Sequence, residues 1–284
     1  MQIHLAKSAG FCFGVKRALS IAFNTAKSYK EVYMLGDIVH NEDVVRTIKE
    51  IGIKKINRLT SGKNKTLLVR THGTCMKITD EAYKLGYRIV DATCPMVKEI
   101  HKIVRNQEKK GYRIIVIGDK KHDEVHSICG QLKFKAIVID NIHAVPIEKI
   151  KRACVVAQST QNLSDVLKIV KILKTRIKKL RFFNTICKPT RIKQEEIKTL
   201  PLENDVIIII GSRNSANTKR LYKISKSLNK HTYWVNSKTA IRPAWFNSAK
   251  SVGVTAGAST PEGTIKDIIK YISSLPIKKL TPSL

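Results

Sequence analysis

One interval recurs three times and constrains the fold more than any other feature. Cys12 precedes Gly36 by 24 residues, Cys94 precedes Gly118 by 24, and Cys187 precedes Gly211 by 24. Each cysteine closes an extended run, in "IHLAKSAGFC", "YRIVDATC" and "LRFFNTIC". Each glycine closes an apolar one, in "VYMLG", "IIVIG" and "IIIIG". Gly14, Pro95 and Pro189 follow the cysteines within two residues, and helix-like sequence comes next. Four residues past each glycine stands a polar side chain: His40, His122 and Ser215. A further strand in each third ends on His72, Ser159 or Ser259, at 60, 65 and 72 residues from its cysteine. The ordered set predicts three copies of one unit, each the size of a small α/β domain.

Apolar runs alternate with helical patterns throughout, the mark of βα units and a mostly parallel sheet. Strands are expected at "EVYML", "TLLVRT", "YRIVDA", "YRIIVIG", "ACVVAQ", "DVIIIIG" and "SVGVTA". Between them, segments such as "MVKEIHKIVRNQEKKG" carry apolar positions at three- and four-residue steps, with Gly111 as the C-terminal stop. The expected domains are 13–95, 96–187 and 188–284, with residues 1–12 adding a strand to the third and closing a ring of three. A chain of 284 residues exceeds the usual single core, in line with that division.

The formal charge of +31 invites a nucleic-acid reading. However, the Lys and Arg residues are spread along the whole chain, interleaved with Ile and Asn, rather than gathered into a patch or motif. No zinc finger, RNP motif or KH loop is present, so no nucleic-acid partner is expected. The positive field instead helps to draw in small anions. No apolar run approaches eighteen residues, and "MQIHLAKSAG" lacks a secretory pattern, so no membrane is expected and the chain reads as cytoplasmic. In a reducing compartment its six cysteines suit ligands, catalysts or core positions better than disulfides.

Ligands of open α/β sheets collect at the carboxyl ends of strands. Three units around a pseudo-threefold axis would aim Cys12, Cys94 and Cys187 at one point, amid His40, His72, His122, Ser159, Ser215 and Ser259. Converging thiols suit a metal centre. Zinc prefers four protein ligands or a His-containing set, whereas iron–sulfur cubes take thiolates. With three thiolates, one iron would lack a protein ligand and could take substrate as a Lewis acid. Spacing alone leaves the metal open. The imidazoles and hydroxyls, with Asn217 of "GSRNSANTKR", suit phosphate oxygens. Glu124 of "HDEV" is the carboxylate placed to face the same pocket, where it could hold a proton and act as an acid. Cys75, Cys129 and Cys154 fall outside the register and read as ordinary thiols. His4, His101, His126, His143 and His231 read as surface or satisfied core residues. Asn41 either orients His40 or caps the helix of "EDVVRTIKEIG".

The motifs "GFCFGVKRAL", "VHN", "THG", "DATCP", "HDEV", "QST", "GSRNSAN" and "TAGAST", in that order over essentially the whole chain, resemble the 4-hydroxy-3-methylbut-2-enyl diphosphate reductases. These are the last enzymes of the methylerythritol phosphate route to isoprenoids. The resemblance implies a cloverleaf of three α/β domains around one [4Fe–4S] cluster. Its ligands would be Cys12, Cys94 and Cys187, with the fourth iron open to the allylic oxygen of the substrate. Two electrons and protons would remove that oxygen as water, giving isopentenyl and dimethylallyl diphosphates. The same carry-over gives the diphosphate to His40, His72, His122, Ser215, Asn217 and Ser259. It sets Ser159 and Thr160 against the substrate and makes Glu124 the proton source.

The chain departs from the family in two places. Ser159 stands where relatives often have Thr, and Ala216 stands where they commonly have a second Ser. Phe11 and Phe13 would shield the centre from water. An external electron donor such as ferredoxin or flavodoxin is implied, since no flavin or nicotinamide fingerprint is present, and "RIKKLR" could dock an acidic carrier. Two other readings are a quinolinate-synthase-like enzyme acting on small dicarboxylates and a basic nucleic-acid-binding protein with structural cysteines.

Overall fold

The computed structural model of the protein describes residues 1–145 and 150–275. The last nine residues of the expected third domain, 276–284, lie outside the described residues. Three four-stranded parallel sheets carry the fold. The first is built from β2 (Val32–Leu35), β3 (Lys54–Ile56), β4 (Thr66–Val69) and β5 (Arg88–Asp91), in the order β3-β2-β4-β5. The second takes β6 (Arg113–Ile117), β7 (Ile137–Ile139), β8 (Arg152–Ala157) and β9 (Lys179–Phe182), in the order β7-β6-β8-β9. The third joins β10 (Val206–Ile210), β11 (Thr232–Val235) and β12 (Ser251–Ala256) to β1 (Gln2–Leu5), in the order β11-β10-β12-β1. The order is the same in all three. The glycine-closed strand has a short edge strand on one side and the strand leading to His72, Ser159 or Ser259 on the other. The cysteine-proximal strand forms the far edge. This is the α/β architecture the repeat predicts.

By internal packing the chain divides into two compact units. A terminal unit comprises Met1–Cys12, His40–Val44 and the chain from Lys188 on; a middle unit comprises Phe13–Val39 and Val45–Cys187.

The strands form where β-branched residues run together, and they are buried on both faces, as parallel sheets are. In β6, Ile115 and Ile117 pack with Val155 of β8 against Val166, Ile169 and Leu173 of α6 (Leu163–Arg176). The alternate residues, Ile114 and Val116, face Ile100 and Val104 of α4 (Pro95–Lys109) and Val125 and Ile128 of α5 (Asp123–Cys129). Each such Ile contributes about 1.5–3 kcal/mol by burial, and Ile115→Ala would cost about 2–5 kcal/mol because the site has no room to collapse. In β10 the same alternation puts Ile208 and Ile210 toward Ile265, Ile268 and Ile272 of α9 (Glu262–Ser274). Ile207 and Ile209 face Ile197 of α7 (Lys188–Thr199) and Leu221 of α8 (Ala216–Leu228).

The seven expected strands are all present. β3, β7 and β11 were not anticipated. They are edge strands of three or four residues, too short to show a period, and Lys54 and Lys55 of β3 are exposed. Three helices, α1 (Phe13–Ser28), α4 and α7, each begin at the residue after a register cysteine. Pro95 suits the first position of α4 because its missing N–H would have no helical partner there. At the far end of α4, Gly111 takes φ 74° and turns the chain into β6, as its place in the sequence predicts.

Candidate functional site

The three register cysteines share one backbone arrangement. In the middle unit the Cys94 N–H donates to the Thr71 carbonyl at 3.0 Å and the Cys187 N–H to the Ser159 carbonyl at 3.0 Å. In the terminal unit the Cys12 N–H donates to the Ala258 carbonyl at 3.1 Å. Each acceptor lies at the carboxyl end of the neighbouring strand and is, or adjoins, one of the polar residues His72, Ser159 and Ser259. All three cysteines stand outside disulfides and are half-buried, and each immediately precedes or caps the N-terminus of a helix. Such a donor set fits a soft metal centre. The remaining cysteines behave as ordinary thiols. Burial pushes Cys154 up to about 12 and Cys129 up to about 11, and raises Cys75 as well. Phe13 is 69% exposed within the chain, contrary to its expected role as a shield, because it points outward from the first turn of α1.

In the middle unit, α5 organises the polar groups. His122 is its N-cap, and its Nδ1 accepts the Glu124 N–H at 3.1 Å. This bond leaves the proton of the neutral ring on Nε2. The rings of His72 and His122 meet edge to face, with centroids 5.2 Å apart. Glu124 is 2% exposed, and Ser159 donates to both of its oxygens, from N–H at 2.6 Å and from Oγ at 2.8 Å. Thr160 lies alongside, its Oγ1 accepting from Gln158 Nε2 at 3.0 Å. Arg70 binds Asp123 at 2.6 Å and fixes the first turn of α5.

Behind these groups lies a connection that sequence reading missed. Ser127 Oγ donates to the His72 carbonyl at 2.6 Å and stands 3.1 Å from His101 Nε2. Burial, and then Arg105, push His101 down to about 4, so at neutral pH it is an uncharged ring. The Ser127 proton is engaged by the carbonyl, so His101 is the donor in that pair. It is a satisfied core histidine, as expected.

In the terminal unit, Ser215 is the N-cap of α8, and its Oγ accepts the Thr218 N–H at 3.3 Å, which leaves its own proton to give. Asn217 is 4% exposed, and its Nδ2 has no hydrogen-bond partner among the described residues; the same holds for Thr218 Oγ1. A buried donor left open in this way calls for a ligand. Gly211 and Gly257 make the room: a Cβ there would come within 2.6 and 2.0 Å of Thr218 Oγ1. Ala216 supplies only its carbonyl, to Arg220 at 3.0 Å. Ser259 Oγ donates to the His40 carbonyl at 3.2 Å.

Asn41 Oδ1 accepts the Val44 N–H at 3.1 Å, so of its two expected roles the structure shows the cap of α2 (Glu42–Glu50). Two further acids anchor this segment. Glu42 binds Ser212 at 2.7 Å and Asp43 binds Thr264 at 2.8 Å. Their signal in the sequence was only an acidic first turn, which any surface helix can have.

Fold and side chains together define a class: a parallel α/β protein that sets thiols, imidazoles and hydroxyls at the carboxyl ends of its sheets. A family model described as LytB protein matches residues 3–273. A relative from Geobacter metallireducens is 39% identical over 280 residues, covering 98% of this chain and 99% of its own, and one from Aquifex aeolicus is 38% identical with 97% of each covered. Both are named 4-hydroxy-3-methylbut-2-enyl diphosphate reductase. Two solved structures are similar. One, of (E)-4-hydroxy-3-methyl-but-2-enyl diphosphate reductase, is 38% identical with a TM-score of 0.71 and covers 96% of this chain and 99% of its own. The other, a reductase from Plasmodium falciparum, is 27% identical with a TM-score of 0.91 and covers 97% and 89%. The chain belongs to the LytB family. These matches favour neither the dicarboxylate enzyme nor the nucleic-acid-binding alternative. Among the described residues no helix is long and apolar enough to cross a membrane.

Proposed function

We propose that the protein is a reductase that removes the allylic oxygen of 4-hydroxy-3-methylbut-2-enyl diphosphate, using two electrons and two protons. It releases water and gives isopentenyl or dimethylallyl diphosphate. One observation carries the reading: the chain matches, over nearly its whole length, relatives that bear this activity in their names. The shared hydrogen bonding of the three register cysteines supports it. One [4Fe–4S] cluster held by Cys12, Cys94 and Cys187, with one iron open to substrate, would supply the electrons and a Lewis acid.

The chain's own residues bind, orient and move protons. The diphosphate falls to His40, His72, His122, Ser215, Asn217 and Ser259. His122 would donate from Nε2, since its Nδ1 is engaged at the cap. Asn217 Nδ2 would gain the partner it lacks, and Ser259 would turn its hydroxyl from the His40 carbonyl to a phosphate oxygen. Glu124 supplies a proton to the leaving oxygen. Ser159 holds its carboxyl from two sides, and the Ser159 hydroxyl is the nearest polar group through which that proton can pass. Thr160 lines the same side of the pocket. The chain divides into domains at 13–95, 96–187 and 188–284, with 1–12 joined to the third, and three sheets of like order support that division. Electrons come from an external carrier such as ferredoxin or flavodoxin, and six cysteines outside disulfides suit work in the cytoplasm.

The test is anaerobic reconstitution with iron and sulfide, followed by turnover of the allylic diphosphate with reduced ferredoxin or a viologen dye. Formation of the two five-carbon diphosphates is expected. A protein replete in iron and sulfide that forms neither would overturn the reading.

A further inference from the structure

Helix α7 does more than follow Cys187. Six and nine residues after that cysteine, Lys193 and Glu196 of this helix grip one residue, Ser8, of the segment that leads to Cys12. Glu196 accepts the Ser8 N–H at 3.2 and 3.0 Å on its two oxygens and also takes the Ser8 hydroxyl. Lys193, three residues earlier on the same face, donates from Nζ to the Ser8 carbonyl and, at 3.2 Å, to the carbonyl of Ala256. Ala256 ends β12, two residues before Ala258, whose carbonyl takes the Cys12 N–H. Lys193 thus ties together the two segments that frame Cys12. It is 3% exposed. A cation is seldom buried this far for packing alone, because its desolvation is costly. Burial pushes Lys193 down to about 8, and the Cys12 thiol and the Glu196 carboxylate are both close enough to act against that shift.

We propose that Lys193 and Glu196 form a clamp that positions Cys12 as a metal ligand. The clamp belongs wholly to the terminal unit. In the middle unit the residue before Cys94 is held differently, by Arg17 of α1, half-buried, which donates to the Thr93 carbonyl at 3.1 Å.

The proposal rests on the iron–sulfur reading, and the experiment separates the two. Wild type, Lys193→Met, Lys193→Arg and Glu196→Gln are reconstituted anaerobically, and iron and sulfide per chain are measured. Iron loss to a chelator and the electron paramagnetic resonance spectrum of the reduced centre are then followed. Support positions around metal ligands are typically worth ten- to a hundredfold in metal affinity, so Lys193→Met should lose iron about tenfold faster or more, with an altered spectrum. Lys193→Arg, which keeps the charge and donors, should restore most of the retention. Glu196→Gln, which keeps an acceptor for the Ser8 N–H, should lose iron roughly threefold faster, below that range. Should Lys193→Met fail to fold by circular dichroism, folded Glu196→Gln decides. Wild-type retention and spectrum in a folded Lys193→Met or Glu196→Gln overturn the clamp. Wild type that takes up no iron and sulfide overturns the iron–sulfur reading and the clamp with it.

Discussion

Two polar clusters, one around Glu124 in the middle unit and one around Asn217 in the terminal unit, are prepared in opposite ways. In the middle unit, Glu124, Ser159, His122, Ser127 and His101 satisfy one another, so the carboxyl and the imidazole are fixed before any ligand arrives. In the terminal unit, Asn217 Nδ2 and Thr218 Oγ1 are buried with no partner among the described residues, and two glycines give the Thr218 side chain its place. Groups that move protons gain from fixed geometry. Groups that receive an anion must keep donors in reserve, and leaving one buried and unmade costs about 1–3 kcal/mol until the ligand supplies it. Under the proposed function the difference would separate chemistry from capture: the Glu124 cluster would act and the Asn217 site would hold.

That separation predicts how variants should fail. The largest effect belongs to the thiols, on which both halves depend. Cys94→Ser should bleach the brown chromophore and abolish turnover, whereas Cys75→Ser, outside the register, should keep both; an unaffected spectrum in Cys94→Ser would break the three-ligand proposal. Next comes Glu124→Gln, which should lower kcat by about 10²–10⁴ while KM and iron content stay near wild type. Near-normal kcat would remove Glu124 from the proton role. Asn217→Ala should show the reverse split, with KM raised roughly tenfold for the loss of a hydrogen bond to a charged oxygen and kcat changed less. An unchanged KM would mean that the open amide does not receive the diphosphate.

A fourth test needs no cofactor. His101 is held near 4 in the folded protein against 6.5 in the unfolded one, so between those values the unfolded chain binds more protons. Its contribution to stability is therefore present above pH 6.5 and is lost as pH falls toward 4, about 3 kcal/mol in all. Denaturant melts of the apo-protein across that window should show the loss, and His101→Gln should flatten it. An equal slope in the variant would detach His101 from the fixed geometry of the middle unit. The smallest change is Asn41→Ala, which removes the cap of α2 and should cost about 1 kcal/mol with kcat unaltered, read from the same melts.

Much of this was legible in the chain because it is enforced locally. Cysteine, helix start and strand-closing glycine recur at one spacing because a strand, a turn and a helix of fixed length must fit between them. The polar residues at His40, His122, Ser215, His72, Ser159 and Ser259 could be placed by counting, since strand ends are where such side chains gather. What counting could not reach were contacts made across the sequence. Ser127 meets the His72 carbonyl 55 residues away, and Lys193 meets Ser8 across 185. In sequence Lys193 is one lysine among many on a basic helix, and only its burial sets it apart. The edge strands escaped notice because β3 buries too little side chain to leave a pattern.

The pairing of β1 with β12 has a consequence for how the chain comes into being. The strand Gln2–Leu5 leaves the ribosome well before its partners, Ser251–Val254, are made. At about 5–20 residues per second this strand waits on the order of tens of seconds for the sheet it completes. The Ala258 carbonyl that fixes Cys12 comes later still. The middle unit can settle during synthesis, but the loop bearing Cys12 finds its anchor only once Ala258 has been made, so any centre that depends on this thiol must be assembled after that point.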